Sequence, residues 1–228
     1  MSWLTDSLKS SIFRKLLMAL TGLFLILFLT VHLAGNIQLI FNDEGQAFNI
    51  YAHTMAHNPF IQLVSKFNFA FIVLHVIYSI WLSRINKTAR PVKYGYSAAS
   101  TNSPWTSRNM GILGTLILVF LVIHLKGFWW EFKNDSIPMV TYDGETMPNV
   151  FLVVKAAYSN VWYAAVYVVS MFFVGFHLSH GFASAFQTLG LNHVKYTPAI
   201  KAIGKGYAII VPALFALIPI LIYIKSLG

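Results

Sequence analysis

MFFVGFHLSHGFASAFQTLG, residues 171–190, is apolar enough to lie in a membrane, yet it carries two histidines one helical turn apart, His177 and His180. It holds no other ionisable side chain. A titratable group at membrane depth is costly to desolvate, so it is read first as functional, with a partner to be found. A lone histidine is as readily explained by a hydrogen bond to a neighbouring helix. Here three further apolar runs carry one histidine each: His32, His75 and His124.

Outward from that stretch, the rest of the chain is of the same character. It has 228 residues, 57% hydrophobic and 10% charged, with a mean hydropathy of +0.65. A soluble domain is about a quarter charged, and this chain has too little polar surface to cover a core. Five apolar runs, at about 12–40, 60–82, 109–130, 150–189 and 200–224, predict an all-α integral membrane protein with a single membrane domain over 1–228. The fourth run is long for one span, so its early part is expected at or above the membrane interface. Pro212 and Pro219 predict a bend in the fifth. Between the runs, Asn42, Asp43 and Glu44 lead into AFNIYAHTMAHNPF, and loops are expected around Pro91 and Pro104, and around Pro138, Asp143, Gly144 and Pro148. Met1 to Ser11 is polar, and the first apolar run is too long for a signal peptide. There is no cysteine, which excludes disulfides, thiol chemistry and cysteine-held iron–sulfur clusters within the chain.

The net charge of +9 is topological. With the N-terminus in the cytoplasm, the inner side holds Lys9, Arg14, Lys15, Arg84, Lys87, Arg90, Lys93, Arg108, Lys195, Lys201 and Lys205. The outer side holds Lys66, Lys126, Lys133, Lys155 and Lys225. This bias predicts N-in and C-out. Only Asp6 of the acidic residues is then inside, and no nucleic acid is expected as a partner.

Helical rise of about 1.5 Å per residue converts sequence distance into depth. His32 lies eighteen residues past Arg14 and His124 sixteen past Arg108, roughly 27 and 24 Å from the inner end. His75 precedes Arg84 by nine residues and His177 precedes Gly190 by thirteen, roughly 14 and 20 Å. Two tiers emerge, an outer one of His32 and His124 and an inner one of His75 with His177 or His180. Histidines facing each other across a bundle can hold a haem iron from both sides, and two such tiers would hold two haems stacked across the bilayer. Zinc fits less well, because a structural site wants four clustered ligands. A proton relay also fits less well, because such relays use carboxylates and none lies within the expected spans. The fifth span has no histidine and is expected to support the other four.

With these residues the chain resembles the di-haem cytochrome b anchor subunit of succinate dehydrogenase and fumarate reductase, the single-anchor, five-span type. The resemblance runs over essentially the whole chain, with local matches at SSIFRKLLMALTG, AFNIYAHTMAHNPF, FHLSHG and QTLG. It implies a fold in which the first four helices form a haem-binding bundle. Two b-type haems are implied, with His32 and His124 on the outer iron and His75 and His177 on the inner one. His177 is taken because the family's fourth-span ligand stands thirteen residues before the glycine ending that helix, here Gly190. His180 is the alternative ligand, or a support for a haem propionate. The resemblance also implies a bacterial cytoplasmic membrane, flavoprotein and iron–sulfur partner subunits on its cytoplasmic face, and a quinone substrate of the menaquinone type. One position departs from the pattern. Where some relatives carry a buried glutamate two residues before the fourth-span ligand, this chain has Gly175.

Quinone reduction needs protons, and the candidates to exchange them are Asp43, Glu44, His53 and His57 in the segment after the first span. The expected function is that of an electron-transferring membrane subunit of succinate:quinone oxidoreductase. Two competing readings are a small transporter using intramembrane histidines and a passive anchor without haem.

Overall fold

The computed structural model describes residues 10–89, 99–134 and 137–228. Asp6, Lys9, Arg90, Pro91 and Lys93, which enter the sequence reading, lie outside the described residues. The chain is mostly helical. Helix α1 (Ser11–Asn36) starts where Ser10 Oγ accepts the Phe13 N–H at 3.1 Å, and runs into a 3-10 turn, Ile37–Ile40. Then come α2 (Gln46–His57) and α3 (Pro59–Thr88), with Asn58 capping α3 and Pro59 in its first turn. Two single helical turns, Ala99–Asn102 and Trp105–Arg108, precede α4 (Met110–His124). A π-helical stretch, Leu125–Trp130, and a last turn, Glu131–Lys133, prolong α4. A hairpin of β1 (Met139–Tyr142) and β2 (Glu145–Pro148) leads to α5 (Val150–Tyr158), α6 (Val161–Thr188) and α7 (Thr197–Lys225).

Among the described residues, five helical segments are long and apolar enough to cross a membrane: Ser11–Ile40, Pro59–Thr88, Met110–Lys133, Val161–Thr188 and Thr197–Lys225. This is the build of a multi-pass membrane protein, since a helix satisfies its own backbone in lipid.

Three local features depart from the sequence reading. The loop read around Asp143 and Gly144 contains an antiparallel hairpin, pairing Tyr142 with Glu145 and Val140 with Met147. Asp143 and Gly144 both have positive φ, 49° and 84°, as the tight turn of a two-residue hairpin demands. The AFNIYAHTMAHNPF segment is largely helical, as α2, and the Asp43 carboxylate starts that helix by accepting the Gly45 and Ala47 N–H groups at 3.0 and 2.8 Å. The long fourth run is two helices. Asn160 ends the continuity by capping α6 through the Trp162 and Tyr163 N–H groups, which leaves α5 as a separate short helix before the span.

The α1–α3 seam is antiparallel and keeps one register. Arg14 stacks on Trp81 at 4.0 Å, Thr21 meets His75, and Phe24 packs edge-on against Phe71 at 4.7 Å. Helix α7 runs unbroken through Pro212 and Pro219 and is tied to α1 by Tyr207, whose hydroxyl donates to the Ile26 carbonyl at 2.8 Å. The hydrophobic core gathers where the 3-10 turn, α2 and α5 meet the ends of α6 and α7: Leu39, Phe48, Val154, Tyr158, Tyr167, Ile218 and Ile222. Asn49, with 0% exposure, clamps this end. Its Nδ2 donates to the Tyr142 hydroxyl and to Asn149 Oδ1, both at 3.1 Å, and its Oδ1 accepts the Phe151 N–H at 2.9 Å. The middle of the molecule is different. The thirty residues of α3 bury only Asn68, and the fifteen of α4 only Leu113.

Candidate functional site

Helices α3 and α4, each with a single fully buried residue, carry His75 and His124. His75 faces His177 of α6, with ring centres 6.3 Å apart and planes at 65°. Thr21 of α1 reaches the same ring, its Oγ1 lying 3.1 Å from His75 Nδ1. Glycines leave the space: a Cβ on Gly22 would lie 3.4 Å from His75 Cε1, and one on Gly114 3.9 Å from His177 Cε1.

Towards the hairpin end, His32 of α1 faces His124, with ring centres 5.8 Å apart and planes at 88°. Aromatic rings wall this pair: Phe28 and Phe215 beside His32, at 5.3 and 5.7 Å, and Phe120, Phe128 and Tyr167 beside His124, at 5.8, 5.5 and 6.0 Å. His124 is the last residue of regular α4, and the helix widens into its π stretch at the next residue, a distortion common at functional sites. His180 is half-buried one turn beyond His177 and is in ring contact with neither pair.

Two imidazoles bound to one metal from opposite sides, each nitrogen about 2 Å from it, put their ring centres roughly 6 Å apart. Both pairs meet that spacing. In His124 and His177 one nitrogen, Nδ1, is buried with no hydrogen-bond partner. A buried nitrogen without a partner calls for an explanation, and a group or water bound beside the ring is one. Among the described residues no cluster of three or more His, Asp or Glu is arranged to hold an ion. Each pair therefore offers a metal two ligands and no more.

No family model matches the chain, and neither a curated protein nor a solved structure matches it.

The proton-exchange candidates divide. Asp43 is engaged in starting α2, as above, and Glu44 is exposed with φ 52°. His53 and His57 lie one turn apart on α2 with ring centres 4.2 Å apart, and His57 Nδ1 donates to the His53 carbonyl at 2.8 Å. The hairpin adds Glu145, whose Oε1 is 3.7 Å from His53 Nδ1. Glu145 is not legible in the sequence, because the Asp143–Gly144 turn that swings it towards α2 reads there only as a loop.

Nor does the sequence show a tyrosine cluster beside the His32–His124 pair. Tyr163 and Tyr167 share a hydroxyl contact of 3.2 Å, and Tyr158 packs on Tyr167 with ring centres 5.1 Å apart. Burial, and Tyr163 after it, hold the Tyr158 hydroxyl above the usual tyrosine range. The five- and four-residue spacing of these tyrosines was the available signal, but the break at Asn160 places Tyr158 on a different helix.

Proposed function

We propose that this chain is a haem-carrying membrane anchor that passes electrons between an iron–sulfur partner and a quinone. The observation that carries the reading is the geometry of the two histidine pairs, held on four helices of which α3 and α4 each bury a single residue fully. Two ligands are too few for a zinc ion held by protein alone. A haem iron comes with its own macrocycle and asks the protein only for axial ligands. His32 and His124 would hold one haem and His75 and His177 the other. When bound, each haem takes up and gives out one electron at a time.

The chain's own residues do the rest. The pairs fix the cofactors' depth and plane, the aromatic wall of the outer pair excludes water, and Gly22 and Gly114 leave space beside His75 and His177. A quinone at the hairpin end would exchange protons with Glu44, His53 and His57, whereas Asp43 has a structural task. By resemblance, the partners are the flavoprotein and iron–sulfur subunits of succinate dehydrogenase or fumarate reductase, on a cytoplasmic face that also holds the N-terminus.

A reduced-minus-oxidised optical spectrum and a pyridine haemochrome assay of the purified full chain test the reading. Two six-coordinate, non-covalent b-type haems per chain are expected. A chain without haem would end it and leave the passive-anchor and transporter readings.

A further inference from the structure

The four histidines are not equivalent, because only His75 has an oxygen that can accept a hydrogen bond set against its Nδ1. His124 Nδ1 and His177 Nδ1 have no partner, and His32 has only the Asn36 amide against its ring, at 3.4 and 3.5 Å. His75 Nδ1 has the hydroxyl of Thr21, which is 4% exposed and therefore shielded from competing water. The direction of that bond follows from what else the hydroxyl does. Thr21 Oγ1 donates to the Leu17 carbonyl at 2.8 Å, with the Met18 carbonyl sharing the proton at 3.1 Å. A hydroxyl has one proton and two lone pairs. With the proton committed to its own helix, Thr21 can meet His75 only as an acceptor, since two lone pairs facing each other at 3.1 Å would repel.

We propose that Thr21 is a positioning residue: it accepts the Nδ1–H of His75 and so fixes that ring with its Nε2 lone pair free for the metal. The Nδ1–Cε1 edge of the ring lies against α1, where a Cβ on Gly22 would be 3.9 Å from Nδ1 and 3.4 Å from Cε1. Nε2 is thereby turned away from α1. An acceptor behind a ligating imidazole makes it a stronger donor and orients it. The inner haem would then have one anchored and one unanchored ligand, while the outer haem has neither ligand anchored in this way. This inference rests on the haem reading for its consequence, and on hydrogen-bond direction alone for its cause.

The test compares full-length wild type with Thr21→Val, which keeps the shape and removes the acceptor, and Thr21→Ser, which keeps the hydroxyl. In Thr21→Val one of the two haems is expected to show a raised midpoint potential in a redox titration, because its ferric form loses donation. The same haem should bind on the order of 10- to 100-fold more weakly when challenged with excess apomyoglobin. The other haem should be unchanged, and Thr21→Ser should match wild type at both. Unchanged potentials and retention in Thr21→Val, or equal damage in Thr21→Ser, would overturn the inference while leaving the haem reading intact. If wild type binds no haem, the haem reading falls, and nitrogen NMR of the His75 ring then decides the inference. Protonation at Nδ1 that is lost in Thr21→Val upholds it, and protonation at Nε2 overturns it.

Discussion

Replacing Asn49 by leucine keeps a side chain of similar size and removes every polar contact at a fully buried position. Three hydrogen bonds disappear, but their costs differ. Asn149 Oδ1 still accepts the Leu152 N–H at 3.1 Å, and the Tyr142 hydroxyl can turn to another partner. The Phe151 N–H has no replacement within the fold. An orphaned buried donor costs about 1–3 kcal/mol, and each ordinary hydrogen bond lost about 0.5–1.5 kcal/mol. With one orphan and one net bond lost, the hairpin end should be weakened by about 2–4 kcal/mol. At 1.36 kcal/mol per factor of ten, that is roughly 30- to 900-fold faster amide exchange, if exchange there goes through local opening. Hydrogen exchange read by mass spectrometry on peptides covering α2, the hairpin and α5 is the assay. The spans α1, α3 and α6 should keep their protection, because none of the hydrogen bonds of the Asn49 side chain reaches them. Acceleration below about threefold, or equal acceleration in all helices, would refute the account of Asn49 as a local clamp.

The pairing can be separated by substitution. His32→Ala or His124→Ala should cost the haem nearer the hairpin end, His75→Ala or His177→Ala the other, and His180→Ala neither. Haem content and the split of the optical band would show it, and loss of a haem in His180→Ala would move the ligand assignment. Gly175→Ala should lower the melting temperature of the full chain in detergent while both haems stay bound. Its Cβ would lie 3.0 Å from the Ala208 carbonyl, a backbone atom that cannot swing aside, and overpacking of this kind costs about 1–3 kcal/mol. An unchanged melting temperature would mean that α6 and α7 separate freely.

That contact also gives a local reason for glycine at 175, the position where some members of the resembled family carry a glutamate. Ala208 is four residues before Pro212, which has no N–H to give it, so its carbonyl lacks the usual helical partner and lies directly against Gly175. A longer side chain there would have to displace α7. The absence of a carboxylate at 175 is thus tied to the proline in the fifth span, a link that no local reading of either segment contains.

The sequence was most readable where one coordinate was enough. Apolar run length marks spans because a bilayer has a fixed thickness, and helical rise turns residue number into depth, so histidines of like depth could be grouped before any helix was placed. Depth could not choose between His177 and His180, which differ by about 4.5 Å along α6 and about 60° around it. That choice turns on which residue of another helix stands opposite, and His75 stands opposite His177. The remaining misses share this cause. Glu145 and Tyr158 each reach their neighbours only through a turn or a helix break that brings distant chain together. Thr21 is the sharpest instance. In sequence it is one small polar residue in an apolar run, and its hydroxyl bonded to the carbonyl four residues back satisfies it completely as a helix residue. It becomes part of a site only because the α1–α3 register, carried by Arg14 on Trp81 below and Phe24 on Phe71 above, sets it against His75. The register thus fixes the ring that a cofactor would use, and it does so through residues with no ligating chemistry of their own.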